Sequence, residues 1–361
     1  MKALKTKIAV VVTLSIVLSG LTACAPAASP TWSSLQVEGD TIYMGSQAGL
    51  VFALDAASGA EKWRFPPAAE KKAIGGIYAA PVLAGGTLYV GAIDKYFYAI
   101  DVNTGALRWK FPATGRIYAE AVVAGGMVYF GDGDHGLYAL DAATGAKKWE
   151  FKTGQGVWGR PFVGNGAVYF GSLDHHVYCL DAVSGQERWR HKTGAAVAGG
   201  PVASGGLVYV GAFDNKLYCL NAADGSVVRE FAAGHWVWAS PTIAEGVVYV
   251  GSLDKKLYAF DAATGEPRGS PFDAKGMIRA ASTYADGLLY VATEAGSVWV
   301  LDAGTLQPKA PPFEAGKQLL TSPVVSGGTV YVSALGDILY ALNAQSLTQV
   351  WPSPVTPSKR K

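Results

Sequence analysis

Histidine is the side-chain type that most directly suggests metal binding, and four of the five histidines are candidates on one predicted face: His135, His175, His176 and His235. His135 and His175 stand at the same position in adjacent copies of a sequence repeat, within segments that have the composition of tight hairpins. A metal site needs several ligand atoms within bonding distance of one ion. Because hairpin tips in neighbouring copies point apart, we predict that these imidazoles do not converge and that the chain binds no metal.

Nucleophilic chemistry is not indicated either. The sequence has no Gly-x-Ser-x-Gly elbow, no Walker loop and no Cys-x-x-Cys pair. Cys179 and Cys219 lie forty residues apart at equivalent repeat positions. Equivalent positions in a rotational array face the same way around the ring, so these thiols should not meet, and we predict two buried, free cysteines. The recurring aspartates are interpreted as turn formers. We therefore predict no catalytic residue.

A row of large side chains forms the candidate binding surface. One equivalent position in the copies holds Trp32, Tyr78, Tyr118, Trp158, Ala198, Trp238, Arg279 and Leu320, and two residues later stand Ser34, Ala80, Glu120, Arg160, Gly200, Ser240, Ala281 and Ser322. Residues two apart on a strand share a side, so the rows are neighbours. Because the aromatic and charged members are unmatched in other copies, we predict a ligand or partner site at Trp32, Tyr78, Tyr118, Glu120, Trp158, Arg160, Trp238 and Arg279. The alternative is packing between blades, with Glu120 and Arg160 simply paired.

The elements that must position this row come from a repeat of about forty residues. Its anchor, a Tyr, an apolar residue and a small residue, ends at Gly45, Gly91, Gly131, Gly171, Gly211, Gly251, Ala292 and Ser333. Each copy contains four short β-branched or aromatic runs separated by turn residues. A period in the forties made of short strands is typical of propeller blades. The sequence thus predicts an all-β fold, an eight-bladed β-propeller of four-stranded antiparallel blades.

Tryptophans on the predicted outer strands indicate how the blades associate. Trp63, Trp109, Trp149 and Trp189 each follow a turn glycine by four residues, and Trp351 restores the pattern in the last copy. A blade cannot bury both faces alone, so we expect each indole to dock on the next blade. Copies five to seven carry Arg229, Gly269 and Ala310 instead, and that arc should pack less tightly. The last blade should take its outer strand from the C-terminus.

The first residues have the sequence features of a bacterial lipoprotein signal peptide. Three lysines precede an apolar run from Ile8 to Leu18, and Leu21-Thr22-Ala23-Cys24 resembles a lipobox. We predict a signal peptide at 1–23, a lipidated Cys24, a tether at 24–31, the propeller at 32–353 and a flexible tail at 354–361. The alternative is a plain signal peptide in which Cys24 is incidental. Lipidation would place the protein outside the cytoplasm on a bacterial membrane, at the periplasmic face of an outer membrane or on a monoderm cell surface.

Charge excludes one class of partner. Of the 30 Lys and Arg residues, three lie in the signal, which leaves 27 basic residues against 28 acidic ones. A nearly neutral mature chain gives no support for nucleic-acid binding.

The copies Val248 to Gly265 (V-Y-V-G-S-L-D-K-K-L-Y-A-F-D-A-A-T-G) and Val168 to Trp189 resemble the pyrroloquinoline-quinone-type propeller repeat. The resemblance covers nearly all of residues 32 to 353. Two functional groups share this repeat. Quinoprotein alcohol dehydrogenases bind the quinone with calcium over the channel, whereas BamB-like lipoproteins are scaffolds for outer-membrane barrel assembly without a cofactor.

The dehydrogenase group resembles this chain less closely. Those enzymes are much longer, with loops over the quinone and often an adjacent cysteine pair, and no acidic cluster for calcium is apparent here. We therefore predict a lipid-anchored, monomeric, non-catalytic envelope scaffold that uses no cofactor and binds an envelope protein or peptide. The alternative function is a quinone-binding or small-ligand module, or a quinoprotein dehydrogenase-like protein, that uses the channel mouth.

Overall fold

The short runs of β-branched and aromatic residues form strands throughout. The computed structural model describes residues 35–70 and 73–357. All the secondary-structure elements in this part of the chain are β-strands. The strands pair as eight antiparallel sheets of sequence-adjacent strands, seven with four strands and one with three. The prediction of an eight-bladed β-propeller is confirmed. Within the described residues, no helix is long and apolar enough to cross a membrane.

Blades are numbered 1 to 8 in chain order, and their strands occupy four radial positions, of which blade 8 fills the inner three. The innermost strands, which contact one another around the axis, are β1 (Leu35–Glu38), β5 (Val82–Ala84), β9 (Val122–Ala124), β13 (Phe162–Gly164), β17 (Val202–Ser204), β21 (Thr242–Ala244), β25 (Thr283–Ala285) and β29 (Val324–Ser326). The second strands are β2 (Thr41–Gly45), β6 (Thr87–Gly91), β10 (Met127–Gly131), β14 (Ala167–Ser172), β18 (Leu207–Gly211), β22 (Val247–Gly251), β26 (Leu288–Ala292) and β30 (Thr329–Ala334).

The third strands are β3 (Val51–Asp55), β7 (Tyr96–Asp101), β11 (Gly136–Asp141), β15 (His176–Asp181), β19 (Lys216–Asn221), β23 (Lys256–Asp261), β27 (Ser297–Asp302) and β31 (Ile338–Asn343). The outer strands are β4 (Glu61–Phe65), β8 (Leu107–Pro112), β12 (Lys147–Lys152), β16 (Glu187–Lys192), β20 (Val227–Ala232), β24 (Phe272–Asp273) and β28 (Phe313–Glu314). The outer strands of blades 6 and 7 have only two residues, in the arc where the docking tryptophan is absent.

Ring closure uses the C-terminal segment, as predicted. In blade 8, Leu339 and Val355 exchange two backbone hydrogen bonds of 2.8 and 2.9 Å, and the amide of Val350 donates to Ala341. Trp351 and Val355 are buried in a cluster with residues of blade 1. The blade therefore extends beyond residue 353, into the segment that the sequence predicts to be a flexible tail, because the apolar Val355 fills the interface with blade 1.

The hydrophobic core lies between blades. Eight clusters of buried side chains each combine residues of two neighbouring blades, including blades 8 and 1. Cys179 and Cys219 belong to different clusters and are free and buried, as predicted. Burial raises the pKa of Cys179 to about 11.

The outer tryptophans dock on the next blade, as predicted. The Nε1–H groups of Trp109, Trp149 and Trp189 donate to the carbonyl oxygens of Ala142, Ala182 and Ala222, at 3.2, 3.1 and 3.0 Å. The same carbonyls also accept the hydroxyls of second-strand tyrosines. Each indole covers a turn glycine of the following blade. Blades are thus joined by packed rings and by paired hydrogen bonds at one repeated point.

Two faces of the disc follow from the loop contacts. The loops between blades bond to the hairpins that join second and third strands, as in the 3.0 Å bond from the Ile93 amide to the Gly76 carbonyl. We call this side the mouth face. The remaining turns meet on the other side, as in the bond from the Val102 amide to the Gly86 carbonyl. We call that side the turn face.

The hairpin aspartates hold the mouth face together. The carboxylate of Asp174 accepts bonds from the Tyr178 hydroxyl and from the amide of Gly154 in the loop between blades. Asp214 and Asp254 repeat the pattern. The interpretation of these three aspartates as turn residues is confirmed, because each carboxylate accepts hydrogen bonds from nearby backbone amides and from a tyrosine hydroxyl.

Candidate functional site

The loops between blades alternate between core and channel side chains. In the loop before blade 3, Ile117 is fully buried and lies so close to Gly91 that a Cβ there would be 2.3 Å from its side chain. The glycine of the repeat anchor is therefore required for close approach. The next residue, Tyr118, is half-buried and borders the cavity at the axis.

The predicted row encloses one cavity at the ring axis. Its volume is about 450 Å³, within the range of small-molecule pockets. Seven of the eight predicted residues line it: Tyr78, Tyr118, Glu120, Trp158, Arg160, Trp238 and Arg279. The eighth, Trp32, lies outside the described residues, as does the predicted lipidation site Cys24. We call the seven residues the mouth.

The aromatic rings of the mouth form a continuous arc. Ring centroids are 5.9 Å apart for Tyr78 and Tyr118, 5.7 Å for Tyr118 and Trp158, and 6.4 Å for Trp158 and Trp238. The last contact joins blades 4 and 6 across blade 5. Blade 5 has Ala198 at this position, and the small side chain leaves room for the two indoles to meet. The Nε1 atom of Trp158 is buried without a hydrogen-bond partner among the described residues.

Arg279 extends the arc to blade 7. Its guanidinium lies 4.3 Å from the centroid of the Trp238 ring, a cation–π contact. Its Nε forms a short, direct bond to the carboxylate of Glu294, whose side chain is only 10% exposed. This pairing fixes the guanidinium plane over the indole, so the exposed edge of the arginine is held in place at the cavity.

Glu120 and Arg160 form a looser pair. Nε of Arg160 is 3.3 Å from Oε1 of Glu120, and the Arg160 side chain remains 54% exposed. The Glu120 side chain is 31% exposed at the cavity, and protein atoms surround the rest of it. Burial therefore raises the pKa of Glu120, and the charge of Arg160 opposes this only in part. The ionic contact expected in the packing interpretation is present, yet most of the arginine stays available to a ligand.

Small and hydroxyl side chains also line the cavity. Blade 5 contributes Gly199 and Gly200, and the Gly200 amide donates to the Ser240 hydroxyl at 2.8 Å. A Cβ on Gly200 would lie 2.3 Å from the Arg160 carbonyl, so blades 4 and 5 approach closely here. Thr321 and Ser322 of blade 8 line the cavity as well. The cavity consequently combines an aromatic and cationic arc with small and polar positions.

Sequence reasoning missed four residues around the mouth: Phe213, Trp236, Met277 and Glu294. The Phe213 ring lies 4.8 Å from Trp238 and stacks on Trp236 at 4.6 Å with an interplanar angle of 10°. Glu294 stands at the hairpin position that holds Leu253 in blade 6, since both amides bond to the same point of the preceding loop. The sequence does contain a signal for this residue, because Glu294 is charged at a position where Leu253 of the preceding copy is apolar.

The histidines are occupied locally or lie at the surface. Nδ1 of His176 is 2.9 Å from the Asp174 carbonyl oxygen, and Nδ1 of His235 accepts the Trp236 amide at 2.8 Å. His135 and His175 are exposed at hairpin tips. Across residues 35–70 and 73–357, no three His, Cys, Asp or Glu side chains are grouped so that they could hold a metal ion.

The model of a family described as outer membrane protein assembly factor BamB matches residues 47–172, 173–303 and 272–359. The chain belongs to this BamB family. The predicted resemblance to BamB-like propellers is confirmed. A comparison with curated protein sequences gives no match.

Solved structures agree with BamB-type membership at the level of the fold. BamB from Moraxella catarrhalis superposes with a TM-score of 0.70 and 19% identity, over 85% of this chain and 92% of that one. The computationally designed Ika8 protein superposes with a TM-score of 0.76 and 16% identity, over 87% and 97%. A designed chain among the similar structures shows that the architecture alone carries no particular function.

Proposed function

We propose that this member of the BamB family is a lipid-anchored, non-catalytic scaffold of the cell envelope whose mouth binds a protein or peptide partner. Family membership supports an envelope-associated scaffold that acts through protein–protein contacts. The single observation that carries the proposal is the arc of four aromatic rings that ends on Arg279. An anchor at Cys24 remains our proposal from the signal sequence.

The composition of the arc favours a macromolecular partner. Trp, Tyr and Arg are the residues most enriched among those that contribute most to protein–protein binding. Here they are side by side, half-buried and fixed by mutual contacts, as with Tyr118 between Tyr78 and Trp158. Rings held in place before binding lose little conformational entropy when a partner arrives.

Packing alone accounts poorly for the mouth. The side chains that fill the blade interfaces, such as Ile117 and Val237, are fully buried. The mouth rings are not, and they leave a cavity of about 450 Å³ beside them. Moreover, core positions repeat from blade to blade, whereas the mouth changes from Tyr to Trp to Ala to Arg. A surface used for binding needs such asymmetry, while a packing layer does not.

Site-specific photocrosslinking in intact membranes tests the proposal. A photoreactive amino acid at position 78, 158 or 238 should give an adduct with the same envelope protein. The matched control is position 183, because Val183 is 76% exposed and lies on the turn face. An absence of mouth adducts above background, or an equal yield of the same adduct from position 183, would contradict the proposed binding site.

The anchor has a separate test. Cys24→Ser should move the protein from the membrane fraction to the soluble fraction, and unchanged retention would rule out lipidation as the attachment. For the alternative of a quinoprotein, purified protein is titrated with pyrroloquinoline quinone and calcium while absorbance and dye reduction are followed. Tight binding with alcohol-dependent turnover would replace the scaffold by an enzyme.

A further inference from the structure

An apolar patch stands exposed on the mouth face, outside the cavity. Trp236 is 40% exposed and Met277 is 37% exposed. Both occupy the same position in consecutive loops, since their carbonyls accept the amides of Leu253 and Glu294 in the following hairpins. The corresponding residues elsewhere are Gly76, Arg116, Gly156, Ala196 and Gln318. Large apolar side chains therefore protrude here only from blades 6 and 7 of the described ring.

The patch rests on a stacked ring and shares its face with exposed lysines. Phe213 stacks beneath Trp236, so the opposite face of the indole is presented to solvent. Lys255, Lys256 and Lys317 are exposed on the same face, and no salt bridge among the described residues engages them. The nearby carboxylate of Asp254 is instead bonded inward to Gly234 and Tyr258. An indole flanked by lysines is suited to the boundary between lipid headgroups and acyl chains.

The start of the propeller lies on this same face. Strand β1 begins at Leu35, which pairs with Met44 near the mouth-face hairpin and lines the axial cavity. Eleven residues lead from Cys24 to Leu35. Fully extended, they span at most about 40 Å. A route over the rim to the turn face would cross four strands, roughly 19 Å, and then the strand height, roughly 20 Å. That path would need the full extended length of the tether, so the anchor is reached more easily from the mouth face.

From these observations we infer that the mouth face lies against the membrane, with Phe213, Trp236 and Met277 as a second contact with the phospholipid surface. The inference rests on the proposed lipid anchor at Cys24. In a ring of eight, blade 5 is opposite blade 1, so β1 and the Phe213 end of the patch lie on opposite sides of the channel. Two such contacts define the tilt of the disc. The mouth then opens toward the bilayer, where it meets partner segments that lie at the membrane surface.

The test measures lipid proximity at the patch in the lipidated full-length protein. Met277→Cys is labelled with an environment-sensitive fluorophore and reconstituted into vesicles of phosphatidylethanolamine and phosphatidylglycerol that contain spin-labelled lipid. The native thiols do not interfere, because Cys179 and Cys219 are buried. The matched control is Val183→Cys on the turn face. We expect lipid-dependent quenching and a blue shift at position 277 only. Equal quenching at both positions, or none at position 277, overturns the inference.

Two further variants separate lipid contact from other causes. Trp236→Ser in the labelled Met277→Cys protein should reduce the quenching, because the neighbouring insertion is lost. In non-lipidated Cys24→Ser protein, Lys255→Glu with Lys256→Glu should weaken partition into the same vesicles by at least fivefold per lysine, given about 1 kcal/mol for each lysine near an anionic surface. The control pair is Lys147→Glu with Lys148→Glu at the turn-face end of β12, which should change partition little. Equal effects of the two pairs would contradict the inference.

The outcomes also distinguish this inference from the proposed function. If Cys24→Ser combined with Lys255→Glu and Lys256→Glu still leaves the protein on the membrane, the anchor is wrong and the inference fails with it. If the anchor holds and mouth crosslinks form, but position 277 contacts no lipid, only the inference is wrong. Protection of position 277 in native membranes but not in protein-free vesicles would assign the patch to a protein partner and would likewise overturn it.

Discussion

Substitution of one turn glycine tests how the blades are joined. Gly185, in the turn of blade 4 that follows β15, lies under the indole of Trp149 from blade 3. A Cβ at Gly185 would be 2.6 Å from that ring, and the backbone φ is +71°. Gly126 in blade 3 offers a matched control, with a φ of +76° and no atom within 4 Å of the place that a Cβ would take. The two changes to alanine share the backbone strain and differ in the contact.

The magnitudes follow from these two terms. A side chain in the left-handed region costs about 1–2 kcal/mol, which is all that Gly126→Ala should lose. Gly185→Ala must also displace the indole, and overpacking of this kind costs about 1–3 kcal/mol more. The displacement would lengthen the 3.1 Å bond from Trp149 to the Ala182 carbonyl, although that carbonyl keeps the Tyr129 hydroxyl as a donor. We expect a total of about 2–5 kcal/mol for Gly185→Ala.

A double-mutant cycle provides the assay. Urea denaturation midpoints, compared at equal slope, give the free energy of unfolding for Gly185→Ala, Trp149→Ala and the double variant. Once the indole is removed, Gly185→Ala should cost only its backbone strain of about 1–2 kcal/mol. The coupling energy should thus reach about 1–3 kcal/mol, as for residues in direct contact. A coupling near zero, or equal costs for Gly126→Ala and Gly185→Ala, would refute docking of the indole on this turn.

Three other measurements address ring closure, the mouth and the thiols. Trp351 is 4% exposed at the junction of blades 8 and 1, so Trp351→Ala should cost about 3–5 kcal/mol in urea denaturation. Trp351→Phe, which mainly removes the bond to the Ala56 carbonyl, should cost about 1 kcal/mol, and equal losses would contradict closure by packing. Burial raises the pKa of Glu120, so the native protein binds this proton more tightly than the unfolded chain does. The contribution of protonated Glu120 to the free energy of unfolding is therefore full at acidic pH. It declines as the pH rises above 4.5, the ordinary pKa of a glutamate. Glu120→Gln should flatten this decline of stability with pH, whereas the control Glu266→Gln, at an exposed position, should not. If Glu120→Gln leaves the pH profile of stability unchanged, the raised pKa of Glu120 is contradicted. Iodoacetamide should modify Cys179 and Cys219 only on unfolding, and rapid alkylation of the native protein would show that they are accessible.

Much of the architecture could be predicted because each copy contains the residues that determine its own strands and turns. The strand-forming runs and the turn Asp or Asn recur in every copy, and the indole on the outer strand, as at Trp109, recurs in five of the eight. Local periodicity also placed Tyr78, Tyr118, Trp158 and Trp238 around the axis. The boundary near Val355 was harder to predict, because the segment is polar and rich in proline except for the one residue that fills the interface with blade 1.

Other features of the mouth depend on contacts between copies. The stack of Trp236 on Phe213 joins a loop of blade 6 to a hairpin of blade 5. The pair of Arg279 and Glu294 joins a loop to a hairpin where the repeat normally has an apolar residue. These contacts depend on side-chain direction as well as on sequence spacing, so an alignment of the copies does not determine them.

The sequence by itself determined the number of blades, their strand order, the docking tryptophans and the row that surrounds the channel, because these depend on interactions repeated within one copy or between neighbouring copies. The tertiary structure alone decided which unmatched residues meet. Trp158 contacts Trp238 only because the ring brings blades 4 and 6 within reach across the small Ala198. The physical reason is closure: it sets the distances between residues far apart in the chain, and so turns a row of separate side chains into one binding surface.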